Sequence, residues 1–62
     1  MSNIYQINGY KNRKEYLVAM AEEYDVDEET VFLMADMLGK DEDFDGLISM
    51  LEDYEAYINL MG

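Results

Sequence analysis

The longest pattern in this sequence is a stripe of apolar side chains that runs at helical spacing from residue 44 to residue 58. Side chains three and four positions apart lie on one face of an α-helix, so the stripe predicts a long amphipathic helix. We expect this helix over residues 42–60, with Gly46 inside it at a cost of about 1 kcal/mol relative to alanine. The stripe consists of Phe44, Leu47, Ile48, Leu51, Tyr54 and Ile58.

A shorter helix is predicted over residues 13–24. Asn12 is a suitable N-cap, and Glu15 three positions later completes a capping-box-like arrangement. The apolar side chains of this helix recur at i, i+3, i+4 and i+7, which places them on one face. They are Leu17, Met20, Ala21 and Tyr24.

A further helix is predicted over residues 28–38, with Asp27 as its N-cap and Gly39 as its end. Residues 31–38 are apolar except for Asp36. Such a helix is apolar nearly all round, so we expect it to be buried on most sides. It is either central in the fold or faces a second chain in a homodimer.

The first ten residues place four apolar side chains among polar residues and a turn at Asn8-Gly9. We expect them to form an extended arm that packs across the helices, with its apolar side chains at Ile4, Tyr5, Ile7 and Tyr10. The chain of 62 residues has no Pro and no segment of linker composition, so we predict one domain. The predicted fold is all-α: a small three-helix domain with an extended N-terminal arm.

The net charge of -11 restricts the possible partners. From residue 15 onward one basic residue, Lys40, stands against all 15 acidic residues. Phosphate affinity depends on Lys and Arg, so we expect neither direct nucleic-acid binding nor binding to anionic membranes, whereas basic proteins would be attracted. No apolar run approaches the roughly 20 residues of a membrane span, and no signal peptide is recognisable, so we expect a cytoplasmic protein.

The basic residues Lys11, Arg13 and Lys14 cluster at the start of the first predicted helix, where they oppose its dipole. We expect them to pair with acidic residues of the same chain, such as Glu52, Asp53 and Glu55. A contact with an anion or a partner is the alternative.

Enzymatic activity is not expected. The chain contains no His, the commonest general base, and therefore no His that could activate Ser2 or Ser49. A three-helix domain of this size also has little room for a pocket that shifts a pKa. We predict no catalytic residues and no cofactor.

Residues 21–31, Ala-Glu-Glu-Tyr-Asp-Val-Asp-Glu-Glu-Thr-Val, resemble the helix-turn-helix of bacterial repressors. The resemblance covers about residues 16–38 and implies two helices that cross after a tight turn. Asp25 stands where the motif usually has Gly, and Asp tolerates a left-handed backbone better than most residues. No Lys or Arg precedes Lys40 in the helix that would read DNA, so the resemblance does not extend to DNA binding.

Residues 41–52 resemble the calcium-binding loop of EF-hand proteins, D-x-[DN]-x-[DN]-G-x5-E. The resemblance implies a calcium site whose ligands would be Asp41, Asp43, Asp45, the Leu47 carbonyl and Glu52. In the other interpretation these acids form a solvated first turn of the third helix, which the helix dipole favours. We prefer the second interpretation, because the apolar stripe accounts for Phe44, an unusual residue at the fourth loop position.

The chain as a whole is similar to small acidic proteins of bacterial phages and mobile elements. Segments 8–13 and 42–47, Asn-Gly-Tyr-Lys-Asn-Arg and Glu-Asp-Phe-Asp-Gly-Leu, carry this resemblance. It implies a role in interaction with host proteins and no particular activity.

Acidic residues interleaved with tyrosines suit a basic protein partner, because Tyr is enriched at interfaces. We therefore predict a small interaction protein that binds a basic protein surface. Inhibition of a nucleic-acid-binding protein by imitating DNA charge is the specific version of this prediction. The alternatives are a single EF-hand-like calcium-binding module and a structural subunit with a Met-rich and Tyr-rich binding face. The candidate partner-binding residues are Glu28, Glu29, Glu52, Asp53, Tyr54, Glu55 and Tyr57.

Overall fold

The computed structural model describes residues 3–61, and every regular element in that range is helical. The predicted all-α class is therefore confirmed, and both shorter helices have the predicted bounds. The elements are α1 (Ile4–Ile7), α2 (Arg13–Tyr24), α3 (Glu28–Leu38), a short 3-10 helix (Lys40–Glu42) and α4 (Gly46–Met61).

Local capping signals set the bounds of α2 and the start of α3. The Asn12 side chain accepts a hydrogen bond from the Glu15 amide at 2.9 Å, which satisfies one free N–H of the first turn. The last residue of α2 is Tyr24. Asp25 follows it with a left-handed backbone (φ 55°, ψ 48°), which makes the tight turn expected between α2 and α3. Asp27 occupies the N-cap position of α3, but its side chain makes no capping hydrogen bond.

The N-terminal segment is helical over Ile4–Ile7, so the expectation of an extended arm was wrong there. A complete capping box forms this turn. The Asn3 side chain accepts a hydrogen bond from the backbone amide of Gln6, and the Gln6 side chain accepts one from the backbone amide of Asn3. The Asn-x-x-Gln spacing is a local signal that predicts this helix. Tyr5 packs into the core as expected, whereas Ile4 and Ile7 are exposed.

The last helix begins at Gly46, four residues later than predicted. Residues 40–45 instead form the 3-10 helix and a turn, which carries Asp43 into the interior. The preferred interpretation of 41–45 as a solvated first helical turn is therefore wrong. Gly46 opens the helix rather than interrupting it, so the expected cost of an interior glycine does not arise.

The core lies where α2, α3 and the first half of α4 meet. Val31, Leu47 and Leu51 are completely buried, and Tyr16 and Ala35 lie beside them in the same cluster. The α3 helix is less buried than its composition predicted, because Leu33 and Met37 are 61% and 73% exposed. Residues 55–60 are all exposed, so the last turns of α4 add little to the core.

Replacing Gly39 with alanine is expected to destabilise the fold by about 1–3 kcal/mol, because its backbone lies in a region that almost only glycine adopts. Gly39 has φ 87° and ψ 156°, and its amide donates to the Ala35 carbonyl at 2.8 Å. A methyl group there would meet no atom within 4 Å, so the loss would come from the backbone alone. Urea unfolding followed by circular dichroism measures the change. Gly46→Ala is the control, since that residue begins a helix, and equal losses in both variants would contradict the prediction.

Candidate functional site

An ionic cluster around a buried carboxylate joins segments that lie far apart in the sequence. Asp43 is completely buried, and its two carboxylate oxygens accept from the Arg13 guanidinium, Nε to Oδ2 at 2.7 Å and Nη2 to Oδ1 at 3.0 Å. The Tyr5 hydroxyl donates to the same Oδ2 at 2.6 Å, and the Tyr16 hydroxyl donates to the Asp43 carbonyl at 2.6 Å. We call these four residues the Asp43 cluster. The charge can be buried because the guanidinium contacts both carboxylate oxygens, and each oxygen has at least one hydrogen-bond donor.

The Asp43 cluster also reaches α3, because Arg13 Nη2 donates to the Ala35 carbonyl at 3.1 Å. It therefore ties α1, α2 and α3 to the segment that precedes α4. The expectation that Arg13 pairs with an acidic residue of its own chain is confirmed, but that residue is Asp43 and not Glu52, Asp53 or Glu55. Among the residues that the structure describes, no buried side-chain polar atom lacks a hydrogen-bond partner.

Aromatic rings enclose the cluster. Phe44 stacks on Tyr16 with ring centroids 4.3 Å apart and lies 5.6 Å from Tyr5. Burial, then the Asp43 charge, raises the pKa of Tyr16 to about 12. Burial and the hydrogen bond to Asp43 likewise raise the pKa of Tyr5. Both hydroxyls therefore stay protonated at neutral pH and act as donors, which gives the cluster a structural role.

The calcium-loop geometry implied by residues 41–52 does not form. The carboxylate of Asp43 is occupied by Arg13 and Tyr5, and α4 begins at the sixth loop position. The Leu47 carbonyl then points along a helix instead of toward an ion, because helical carbonyls bond the amide four residues on. Within residues 3–61, no three acidic side chains come together in a group that could hold a metal. Asp41, Asp45 and Glu52 are exposed at separate positions.

The other acidic residues cover the outside of the molecule. All are exposed except Asp43, which is buried, and Glu42, which is half-buried. The single Arg is engaged by Asp43, so the basic side chains left outside are those of Lys11, Lys14 and Lys40. The exterior therefore carries nearly the whole negative charge of the chain.

One group of acidic residues gathers where α2 ends beside α4. Partial burial of Tyr24, and then the negative charges of Glu52, Glu23 and Glu55, raise its pKa, so these acids are near enough to act on Tyr24. A cleft of about 120 Å³ lies at the same place, lined by Tyr24, Asp25, Glu55, Ile58 and Asn59. We call Glu23, Asp25, Glu52 and Glu55 the acidic end.

Two of the seven predicted partner-binding residues, Glu52 and Glu55, belong to the acidic end. Asp53 is exposed on the same helix, and Tyr57 is 60% exposed one turn beyond it. Tyr54 is half-buried and packs against the core, which leaves only part of its side chain for a partner. The remaining two, Glu28 and Glu29, are exposed in the first turn of α3.

The sequence interpretation missed Glu23 and Asp25. Glu23 lies in the last turn of α2, and Asp25 lies in the tight turn that follows it. Both are exposed. Their approach to Glu52 and Glu55 depends on how α4 packs, and no local pattern reports it.

Comparisons with protein families, with curated proteins and with solved structures find no match to this chain. The resemblances to EF-hand proteins and to phage proteins therefore gain no support from relatives. Among residues 3–61, no helix has the length and apolar character needed to cross a membrane.

Proposed function

We propose that this protein is a small non-enzymatic interaction protein whose acidic exterior binds a basic protein. The observation that carries the proposal is the separation of charge between inside and outside. The one Arg is held by the buried Asp43, while the other acidic residues face solvent with only three Lys among them. A surface of one sign attracts and steers partners of the opposite sign.

The density of this charge favours a nucleic-acid-binding protein as the target. The longest dimension of the molecule is 44 Å, and its 11 net negative charges are spread over all sides of it. One strand of duplex DNA carries a phosphate about every 3.4 Å along the axis. A protein surface built to bind phosphates is basic, so a negative exterior of this kind attracts it.

The acidic end is the part of the exterior that we assign to the contact. Its residues come from α4 and from the end of α2, and the packing of these helices sets their backbone positions relative to each other before binding. A preorganised group of charges loses less conformational entropy on association than flexible ones do. Tyr57, exposed on the same helix, adds a side chain of the kind that interfaces favour.

Capture from a cell extract at about 0.15 M salt, followed by reconstitution with the purified captured protein, tests the proposal. We expect a basic nucleic-acid-binding protein that duplex DNA displaces from the complex. The double variant Glu52→Gln, Glu55→Gln should weaken binding roughly tenfold, because close charge pairs contribute at least about 1.5 kcal/mol in favourable cases.

The matched control is the double variant Asp41→Asn, Asp45→Asn, which removes the same charge from exposed positions before α4. It should weaken binding clearly less. Equal losses in both double variants would remove the acidic end from the contact, and a partner that DNA does not displace would refute the imitation of DNA charge. No retained protein at that salt concentration would refute the proposal as a whole.

A further inference from the structure

An open groove runs between α2 and α3 on a surface that the acidic end does not include. It has a volume of about 510 Å³, and its apolar lining comes from Leu17 of α2 and from Phe32 and Leu33 of α3. Glu29 and Asp36 stand along the groove on the α3 side, and Arg13, whose guanidinium is paired with Asp43, lines it on the α2 side. Glu29, Phe32, Leu33 and Asp36 follow the i, i+3, i+4, i+7 spacing, so acids bracket the apolar pair on one helical face.

The apolar part of the groove is accessible. Leu33 is 61% exposed and Phe32 is half-buried, whereas Leu17 beneath them is 6% exposed and belongs to the core. The groove thus grades from a core side chain at its floor to an exposed leucine at its edge. A single exposed leucine is ordinary on a protein surface, but apolar side chains bracketed by charged residues on one helical face are a candidate site for docking.

We propose that this groove binds the apolar face of a basic amphipathic helix of a partner protein. Helices dock in grooves through apolar residues at i, i+3, i+4 and i+7, and the flanking polar residues meet the edges of the groove. Here the exposed edge residues Glu29 and Asp36 are acidic, so Lys or Arg beside the apolar face of the partner would be complementary. The inference rests on the proposed function. Its addition is that the partner contacts the groove through a helix with an apolar face.

Charge argues against a second copy of this chain as the occupant. A two-fold dimer brings the same patch of both subunits together, so Glu29 and Asp36 would face their own counterparts. Each subunit also carries a net charge of -11, which opposes association. A basic helix would neither place carboxylates opposite Glu29 and Asp36 nor add a second negative net charge.

Two synthetic peptides of identical composition test the proposal. Each is about five helical turns, or roughly 18 residues, of Leu and Lys. The patterned peptide has Leu at i, i+3, i+4 and i+7, and the scrambled peptide has the same residues without an apolar face. We expect the patterned peptide to bind about tenfold more tightly in calorimetry at about 0.15 M salt, since anchoring one or two apolar side chains is sufficient for that ratio.

The variant Leu33→Ser should abolish the difference between the two peptides. Leu60→Ser is the matched control, because Leu60 is 88% exposed and lies far along α4, outside the groove. Both leucines are exposed, so neither variant should unfold the chain, and circular dichroism verifies this. Adding the patterned peptide to the unmodified protein should change the chemical shifts of the Leu17 and Phe32 backbone amides.

Equal affinity for the two peptides would overturn the groove inference and leave the acidic exterior as the binding surface. Failure of both peptides to bind would overturn the inference together with the proposed function. A concentration-dependent dimer in sedimentation equilibrium that Leu33→Ser dissociates would assign the groove to a second copy, against the proposal.

Discussion

Replacing Arg13 with methionine is expected to destabilise the protein by about 3–5 kcal/mol, because the Asp43 side chain is completely buried and would lose its cation, whose own side chain is 33% exposed. The variant would leave the carboxylate of Asp43, which is completely buried, with only the Tyr5 hydroxyl as a side-chain donor. A single small core rarely supplies more than about 3–5 kcal/mol at this chain length. We therefore expect Arg13→Met to be largely unfolded at 25 °C by circular dichroism and by amide chemical-shift dispersion.

Lys14→Met is the matched control for this variant, because Lys14 is the next residue, carries the same charge and is exposed. Its effect should stay within about 0.5 kcal/mol. The double variant Arg13→Met, Asp43→Leu removes the stranded carboxylate and should be more stable than Arg13→Met alone, as apolar replacement of a buried pair often is. A fully folded Arg13→Met protein, or a double variant less stable than the single one, would show that the ion pair is not what supports this region.

Replacing Leu51 with alanine is expected to cost about 3–5 kcal/mol, the range found where a fully buried leucine leaves a cavity. Leu51 has no exposed surface and lies in the core cluster with Leu47 and Val31. The free energy of unfolding is measured by urea titration, with a stabilising osmolyte added to both proteins so that the variant begins folded.

Leu60→Ala is the control for Leu51→Ala. It removes the same atoms from the same helix at a position that is 88% exposed, so its effect should be within about 0.5 kcal/mol. Similar losses in the two variants would contradict the division of α4 into a packed first half and a solvated second half.

Local signals predicted the parts of the fold that local interactions determine. The Asn12 cap and the glycine at position 39 gave the bounds of α2 and α3, because capping and backbone conformation act within a few residues. The Asn3 and Gln6 capping box is equally local, and the short α1 could have been predicted from it. For α4, the apolar stripe predicted the existence of the helix and its packed face.

The start of α4 and the role of Asp43 were not predictable in this way. An acidic residue ahead of a helix is usually solvated, and it is buried here because Arg13, 30 positions earlier, reaches it. Asp43 is also one of the residues of the calcium-loop pattern, but its carboxylate pairs with Arg13 and not with an ion. The acidic end is a similar case, since Glu23 and Asp25 meet Glu52 and Glu55 only through the packing of α4.

The Asp43 cluster also affects how stable partly folded forms of the chain can be. A form with α4 docked and α2 detached would bury a carboxylate without its cation, which is costly in a low-dielectric interior. A form with α2 in place and the Asp43 segment detached would leave the guanidinium and two tyrosine hydroxyls without their acceptors. Half-assembled states lose these contacts, so the cluster favours cooperative folding of this short chain.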